Sequence, residues 1–240
     1  MNVVIPMAGR GQRFVDAGYT TPKMLIEVHG KTLLEWSVDS LPLELCTRLI
    51  FILLEEHKTI HGLEALILTK YAAYNPTFVY LNGVTRGQAE TVLKSATHWN
   101  MDEALLIYNI DTAFESKQLS EKLTRNTGDG ILGAFIDISD SSKYSYAKLN
   151  EAGWVTEVVE KEKISDYALT GLYHFTNPGD FIAVAEKNIQ ENNTVKGEFY
   201  VAPIYNQLLQ QGKRFTIDVC DATTILGTPE ELEAFRKTKP

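Results

Sequence analysis

Hydrophobic positions in the first half of the chain fall in short continuous runs separated by stretches of helical spacing. Asn2–Pro6, Arg48–Leu53 and Ala104–Tyr108 are almost wholly apolar, the pattern of strands covered on both faces, and Thr77–Leu81 reads as a further strand. Between them, Leu33–Leu41, Ile60–Tyr74 and Gln88–Thr97 carry apolar residues at helix-like intervals. This alternation predicts a parallel sheet with right-handed crossovers. The second half changes character: Gly130–Ile138, Tyr144–Leu149, Val155–Glu160 and Ala168–Phe175 are strand-like, with turns at Asn150–Gly153 and near Ser165. Helices are predicted at Pro178–Glu191 and Glu198–Gln211, then a last strand at Phe215–Val219. The string Gly227-Thr228-Pro229-Glu230-Glu231-Leu232 opens a final helix, with Thr228 as N-cap, Pro229 at the first helical position and Glu231 completing a capping box. No repeat or low-complexity tract interrupts this order, so the expectation is one α/β domain with a mixed sheet flanked by helices.

Composition narrows the classes of function. At 240 residues, 44% apolar and 22% charged, the chain suits one globular domain with a sizeable core. A formal net charge of −8 without a basic run excludes a nucleic-acid-coating surface and leaves room for a local cationic pocket. No apolar stretch reaches membrane-spanning length, and the first residues lack the segments of a signal peptide. Neither nucleic acid nor membrane is therefore expected as a partner, and the expected location is cytoplasmic. Cys46 and Cys220 are too few for a disulfide framework; their apolar contexts fit core-filling thiols in a reducing compartment.

The most informative chemistry lies at residues 3–27. The first strand runs into Met7-Ala8-Gly9-Arg10-Gly11-Gln12-Arg13-Phe14, and Pro22-Lys23 follows. Glycines let main-chain N–H groups approach an anion closely, and two arginines and a lysine supply charge-assisted hydrogen bonds to phosphate oxygens. Phe14 stands where a dinucleotide fingerprint needs a third glycine, and no Gly-Lys-Ser/Thr of a Walker A motif follows. The whole phrase resembles the signature of the sugar-phosphate nucleotidyltransferases, pyrophosphorylases that join a nucleoside triphosphate to a phosphorylated acceptor. The resemblance implies a Rossmann-like, GT-A-like fold, with a nucleotide-binding half at about 1–128 and an acceptor-binding half at about 129–240. Met7, Ala8, Gly9, Arg10 and Gly11 would then bind the nucleotide. Arg13 would hold the β- and γ-phosphates, and Lys23 would reach the α-phosphate.

Asp111 follows the apolar run Ala104–Tyr108 and should emerge at the carboxyl end of a central strand, the edge where open α/β sheets bind ligands. A single carboxylate there suits Mg²⁺, which takes one or two carboxylates together with phosphate oxygens and waters. The same position also fits a turn aspartate before a helix. Thr85-Arg86-Gly87-Gln88 matches a glycine-led turn that, by the resemblance, brings Gly87 and Gln88 to the nucleobase, with Asn82 on the same side. Also by resemblance, Glu160 would bind acceptor hydroxyls and Lys161 the acceptor phosphate, with Gly171 on the next strand. Glu198, opening the later helix, would face the acceptor. The charged string Glu157–Lys163 equally fits a solvated sheet edge.

The chain departs from the family pattern at Ile225, where many relatives carry an aspartate as second metal ligand; Asp218 and Asp221 are the nearby substitutes. His29, His57, His61, His98 and His174 have no metal-ligand spacing and read as surface or packing residues. The expected reaction is attack of an acceptor phosphate on the α-phosphorus with release of pyrophosphate, the acceptor by default being a sugar 1-phosphate for capsule or cell-surface polysaccharide. The alternatives are a cytidylyltransferase for a small non-sugar phosphate, a GT-A glycosyltransferase, and a non-catalytic nucleotide- or sugar-sensing module. An absent Asp-x-Asp and the presence of Arg13 and Lys23 weigh against the glycosyltransferase. Nothing in the sequence reads out the base or the oligomeric state.

Overall fold

A computed structural model describes residues 1–60 and 62–238; the sequence expectation for His61 lies outside the described residues. Its strands are β1 (Asn2–Pro6), β2 (Glu27–Val28), β3 (Lys31–Thr32), β4 (Arg48–Leu54), β5 (Thr77–Leu81), β6 (Leu105–Tyr108), β7 (Thr112–Glu115), β8 (Gly130–Ile136), β9 (Ser145–Leu149), β10 (Val155–Glu160), β11 (Tyr167–Phe175), β12 (Phe215–Val219) and β13 (Ala222–Ile225). Its α-helices are α1 (Gln12–Asp16), α2 (Leu33–Val38), α3 (Leu63–Lys70), α4 (Gln88–Leu93), α5 (Leu119–Thr124), α6 (Pro178–Gln190), α7 (Ile204–Gln210) and α8 (Pro229–Arg236). One nine-stranded sheet runs in the order β10-β9-β11-β6-β1-β4-β5, with β8 paired to β11 and β12 paired to β8. The neighbours β6-β1-β4-β5 are mutually parallel, and β11 joins them antiparallel to β6. The α/β mixed sheet expected from the sequence is the one observed.

Alternation along each central strand sends side chains to two different cores. Val4, Ile50 and Ile52 pack with Val92, Phe181 and Tyr205 on one face, whereas Val3, Ile5, Leu49 and Phe51 pack with Leu34, Val38 and Leu63 on the other. A third cluster of Phe14, Ile26, Val28, Leu33, Leu226 and Leu232 ties the segment after β1 to the β2–β3 hairpin and α8. That cluster fixes the glycine loop, whose own residues Gly9 and Arg10 are exposed.

Several elements differ from expectation: the helices expected at Leu33–Leu41, Ile60–Tyr74 and Gln88–Thr97 are the shorter α2, α3 and α4. The helix predicted from Glu198 begins only at Ile204, because Glu198 and Val195 form a β-bridge and the Phe199 N–H donates to the Arg86 carbonyl. Long-range pairing of residues 195–199 overrides their local pattern. Asp111 is followed by strand β7, paired antiparallel with β13, rather than by a helix; Ser116 Oγ instead accepts from the Leu119 N–H ahead of α5. On the final helix, Thr228 Oγ1 accepts from the Glu231 N–H, but the Glu231 carboxylate accepts from the Gly227 N–H, so the reciprocal half of the capping box is displaced by one residue.

His174 lies within β11 at 3% exposure, its Nδ1 without a partner, and burial pulls its pKa from 6.5 down to about 4. The unfolded chain takes up this proton more readily than the folded one, so stability is lost as pH falls from about 6.5 toward 4. Urea unfolding at pH 7 and pH 5 should show this slope in the wild type and a shallower one in His174→Leu; identical slopes would contradict it.

Candidate active site

The carboxyl ends of β1, β4 and β6 open onto two adjoining cavities, of about 550 and 360 Å³, that share Pro6, Gly9, Arg13, Ile110, Asp111 and Gly227 as walls. The smaller is lined by Met7, Arg10, Gly11, Lys23 and His57. Ala8, Gly87, Gln88, Glu160, Gly171 and Glu198 line the larger. The loop, the helix-opening turn and the acceptor-side residues Glu160, Gly171 and Glu198 thus line two adjoining cavities.

The glycine loop is built to receive an anion. After Met7, whose N–H donates to the Ile52 carbonyl at 2.9 Å, no main-chain N–H from Ala8 to Arg13 donates to a described residue. Such a run is costly when sealed from solvent, but here Gly9 and Arg10 are exposed and a cavity lies in front of them. Gly11 has φ 63°, a left-handed conformation that turns the chain into α1 and brings it against Lys23. Lys23 itself is three-quarters enclosed or more (12% side-chain exposure), lies 5.5 Å from the Phe14 ring centroid and makes an ion pair with Asp111, which is 52% exposed. Cation and carboxylate therefore stand in contact on the wall of the smaller cavity. Arg10 points outward to Glu56, with Nε 3.2 Å from Oε1.

The turn opening α4 closes the other side. Gly87 has φ 151°, and a Cβ there would overlap the main chain of Phe199, so only glycine lets these segments touch. Ala89 N–H donates to the Phe199 carbonyl at 2.8 Å, fixing the contact. The Gln88 carboxamide donates to Asn109 Oδ1, and both line the cavity, presenting amide edges of the kind that read a base. Arg86 pairs with Glu90 at 2.7 Å on the outer side of the turn. Asn82 is exposed beyond β5 and lines neither cavity.

On the acceptor side the charged string divides residue by residue. Glu157 is exposed on the edge strand β10, whereas Glu160 is buried at its end and accepts from Ser145 Oγ. Burial raises the Glu160 pKa, opposed by the Ser145 hydrogen bond and by Lys161 and Lys196. Lys161, in a left-handed conformation, lines neither cavity itself; its Nζ donates to the Tyr200 hydroxyl at the wall, and Lys196 Nζ donates to its carbonyl at 3.1 Å. The structure adds residues that sequence reading missed. Lys143 and Tyr144 come from a loop braced by Asp137, which accepts from Ser139 and Tyr146; those bonds outweigh its burial and lower its pKa. Lys143 Nζ reaches Glu231 Oε1 of α8 at 2.6 Å across the larger cavity. The Ser-Asp-Ser-Ser turn at 139–142 was the local signal for that loop, but nothing local pairs it with α8.

Ile225 lines the cavity next to Asp111, in register with Thr112. The substitutes considered for it are elsewhere: Asp218 is 1% exposed and paired with Lys122 at 2.8 Å, and Asp221 accepts from the Lys117 N–H. No group of three or more His, Cys, Asp or Glu side chains suitable for a metal occurs among the described residues. An exposed hard carboxylate beside a phosphate-ready loop fits Mg²⁺ completed by substrate oxygens and water, and does not fit a closed all-protein site. Glu231, with both oxygens engaged by Gly227 and Lys143, is the other carboxylate on this wall. No described helix is long and apolar enough to cross a membrane.

Comparison with known proteins agrees with this geometry. The family model described as nucleotidyl transferase matches residues 2–223. A UTP–glucose-1-phosphate uridylyltransferase of Haloferax volcanii is 26% identical over 243 residues, covering 96% of this chain and 93% of that protein. The crystal structure of a nucleoside-diphosphate-sugar pyrophosphorylase from Vibrio cholerae RC9 superposes with a TM-score of 0.83 at 31% identity, covering 98% of this chain and 100% of the other. An inositol-1-phosphate CTP transferase from T. maritima shares the fold, with a TM-score of 0.75 at 14% identity over 100% of this chain and 97% of that one. The matched span takes in the glycine loop, Lys23, Asp111 and the acceptor-side strands, and the chain belongs to the nucleotidyl transferase family.

Proposed function

We propose that the protein transfers a nucleoside monophosphate from a triphosphate to a sugar 1-phosphate and releases pyrophosphate, supplying activated sugars for cell-surface polysaccharide in the cytoplasm. The observation carrying this reading is the undonated run of main-chain N–H groups from Ala8 to Arg13, set beside Lys23 and Asp111 at the junction of the two cavities. Nucleotide residues come from the first half of the chain and acceptor residues from the second.

The acceptor phosphate is already anionic, so the site needs no protein nucleophile; its task is to align two polyanions and offset their repulsion. Gly9–Gly11 amides and Arg13 hold the β- and γ-phosphates. Lys23 leaves Asp111 for the α-phosphate, where charge redistributes in the transition state. Asp111 would hold Mg²⁺, which when bound would supply positive charge to the triphosphate. Gln88 and Asn109 face the base, Glu160 accepts from acceptor hydroxyls, and Lys161, held at the wall by Tyr200, supplies positive charge toward the acceptor phosphate. The Haloferax volcanii relative is named for glucose 1-phosphate, which supports a sugar acceptor.

The acceptor class is tested by incubating the protein and Mg²⁺ with five nucleoside triphosphates and separate pools of sugar 1-phosphates and small alcohol phosphates, with products identified by mass spectrometry. A nucleoside diphosphate sugar is the expected product. Product from the alcohol phosphates alone would replace the sugar by a non-sugar acceptor.

A further inference from the structure

His57 was expected to be a surface or packing residue, yet it forms part of the wall of the smaller cavity. It lies in the 3-10 segment Glu55–Thr59 directly after β4, at the carboxyl edge of the sheet. The residue is 7% exposed, and it shares the cavity with Arg10, Gly11, Arg13 and Lys23. One bond ties this turn to the glycine loop, Glu56 accepting from Arg10 Nε, and a second lies within the turn, where the Leu54 N–H donates to His57 Nδ1 at 3.3 Å.

The second bond decides the tautomer. A ring nitrogen that accepts from a main-chain N–H cannot carry the proton, so the neutral imidazole holds it on Nε2. Nε2 makes no hydrogen bond to a described residue, and it is not among the sealed unpartnered atoms. The ring that lines the cavity thereby carries an N–H donor without a described partner and not sealed from solvent. Burial lowers the His57 pKa, against the pull of Glu56, so at neutral pH the group offers a directed dipole rather than a charge.

From this arrangement, and resting on the pyrophosphate-releasing reaction proposed above, we propose that His57 donates its Nε2–H to a phosphate oxygen of the leaving pyrophosphate. The cavity it lines is the one enclosed by the loop arginines and Lys23, whereas the base- and acceptor-facing residues line the other. A neutral donor suits this position: it orients the departing group without adding to the positive charge that must later release it.

The test is titration calorimetry with inorganic pyrophosphate and Mg²⁺ on the wild type, His57→Leu and His57→Gln, with melting temperatures recorded for all three. Glutamine keeps an N–H near the Nε2 position but loses the acceptor for Leu54; leucine loses both. The wild type should bind pyrophosphate, leucine should weaken it about tenfold, and glutamine should recover most of the loss, as expected for one hydrogen bond to a charged partner. Equal affinity in wild type and His57→Leu would overturn the role of His57 and leave the reaction standing. Equal losses in both variants would also overturn it, because they would trace to the Leu54 contact. Absence of pyrophosphate binding by the wild type would overturn the reaction itself along with it.

Discussion

Replacing Lys23 by alanine is expected to lower kcat by about 10²–10³-fold, the usual cost of removing one preorganised donor from developing charge. The fold should survive. The Lys23 side chain lies over the Phe14 ring and beside Gly11, and its partner Asp111 is half exposed, where an ion pair adds little stability. Because the interaction with the α-phosphate strengthens only in the transition state, kcat should fall much more than the triphosphate KM rises. Steady-state kinetics with both substrates saturating, together with a melting curve, check this; a rise in KM alone would place Lys23 in ground-state binding.

The second large effect is Asp111→Asn, which conserves shape and removes the charge. Turnover should fall by about 10²-fold or more, as for loss of a key electrostatic group in an active site. The variant should also need more Mg²⁺ for half-maximal rate, since the carboxylate is the hard ligand among the groups beside the loop. Mn²⁺ binding followed by paramagnetic resonance, in the presence of nucleotide, separates this from a general loss of activity. Wild-type affinity for Mn²⁺ in the variant would remove Asp111 from the metal site. Asn retains a hydrogen-bond acceptor for Lys23, so a collapse of the loop is not expected to confuse the result.

The parts of this account that sequence makes legible are those carried by local pattern. β1, β5, β10 and β12 occur at the residues predicted because each is a β-rich run bounded by turn residues. Arg13, Lys23 and Asp111 line one cavity because the loop after β1 and the turn after β6 open at the same edge of the sheet. What the pattern lacks is partnership at a distance. The segment 198–203 reads as helix in isolation, but the hydrogen bonds of Phe199 to Arg86 and Ala89 pin its start against the Gly87 turn, and the helix starts after Pro203. β7 and β13 are four residues each and stabilise one another only across more than a hundred residues of chain. The same holds in the site. Lys143 faces it because α8 supplies Glu231, His57 because Leu54 orients its ring, and Asp218 is removed from it because it is buried on β12 and paired with Lys122 of α5. The gap left by Ile225 is likewise legible as a substitution, whereas the position of every replacement carboxylate is a matter of packing.

The most direct test of the central claim is pyrophosphate release in the presence of Mg²⁺, measured for each nucleoside triphosphate with and without a pool of sugar 1-phosphates. The account predicts release that requires both substrates together and is lost in Lys23→Ala and Asp111→Asn. Nucleotide binding with no release from any pair, or release of a nucleoside diphosphate from a finished nucleotide sugar, would contradict it.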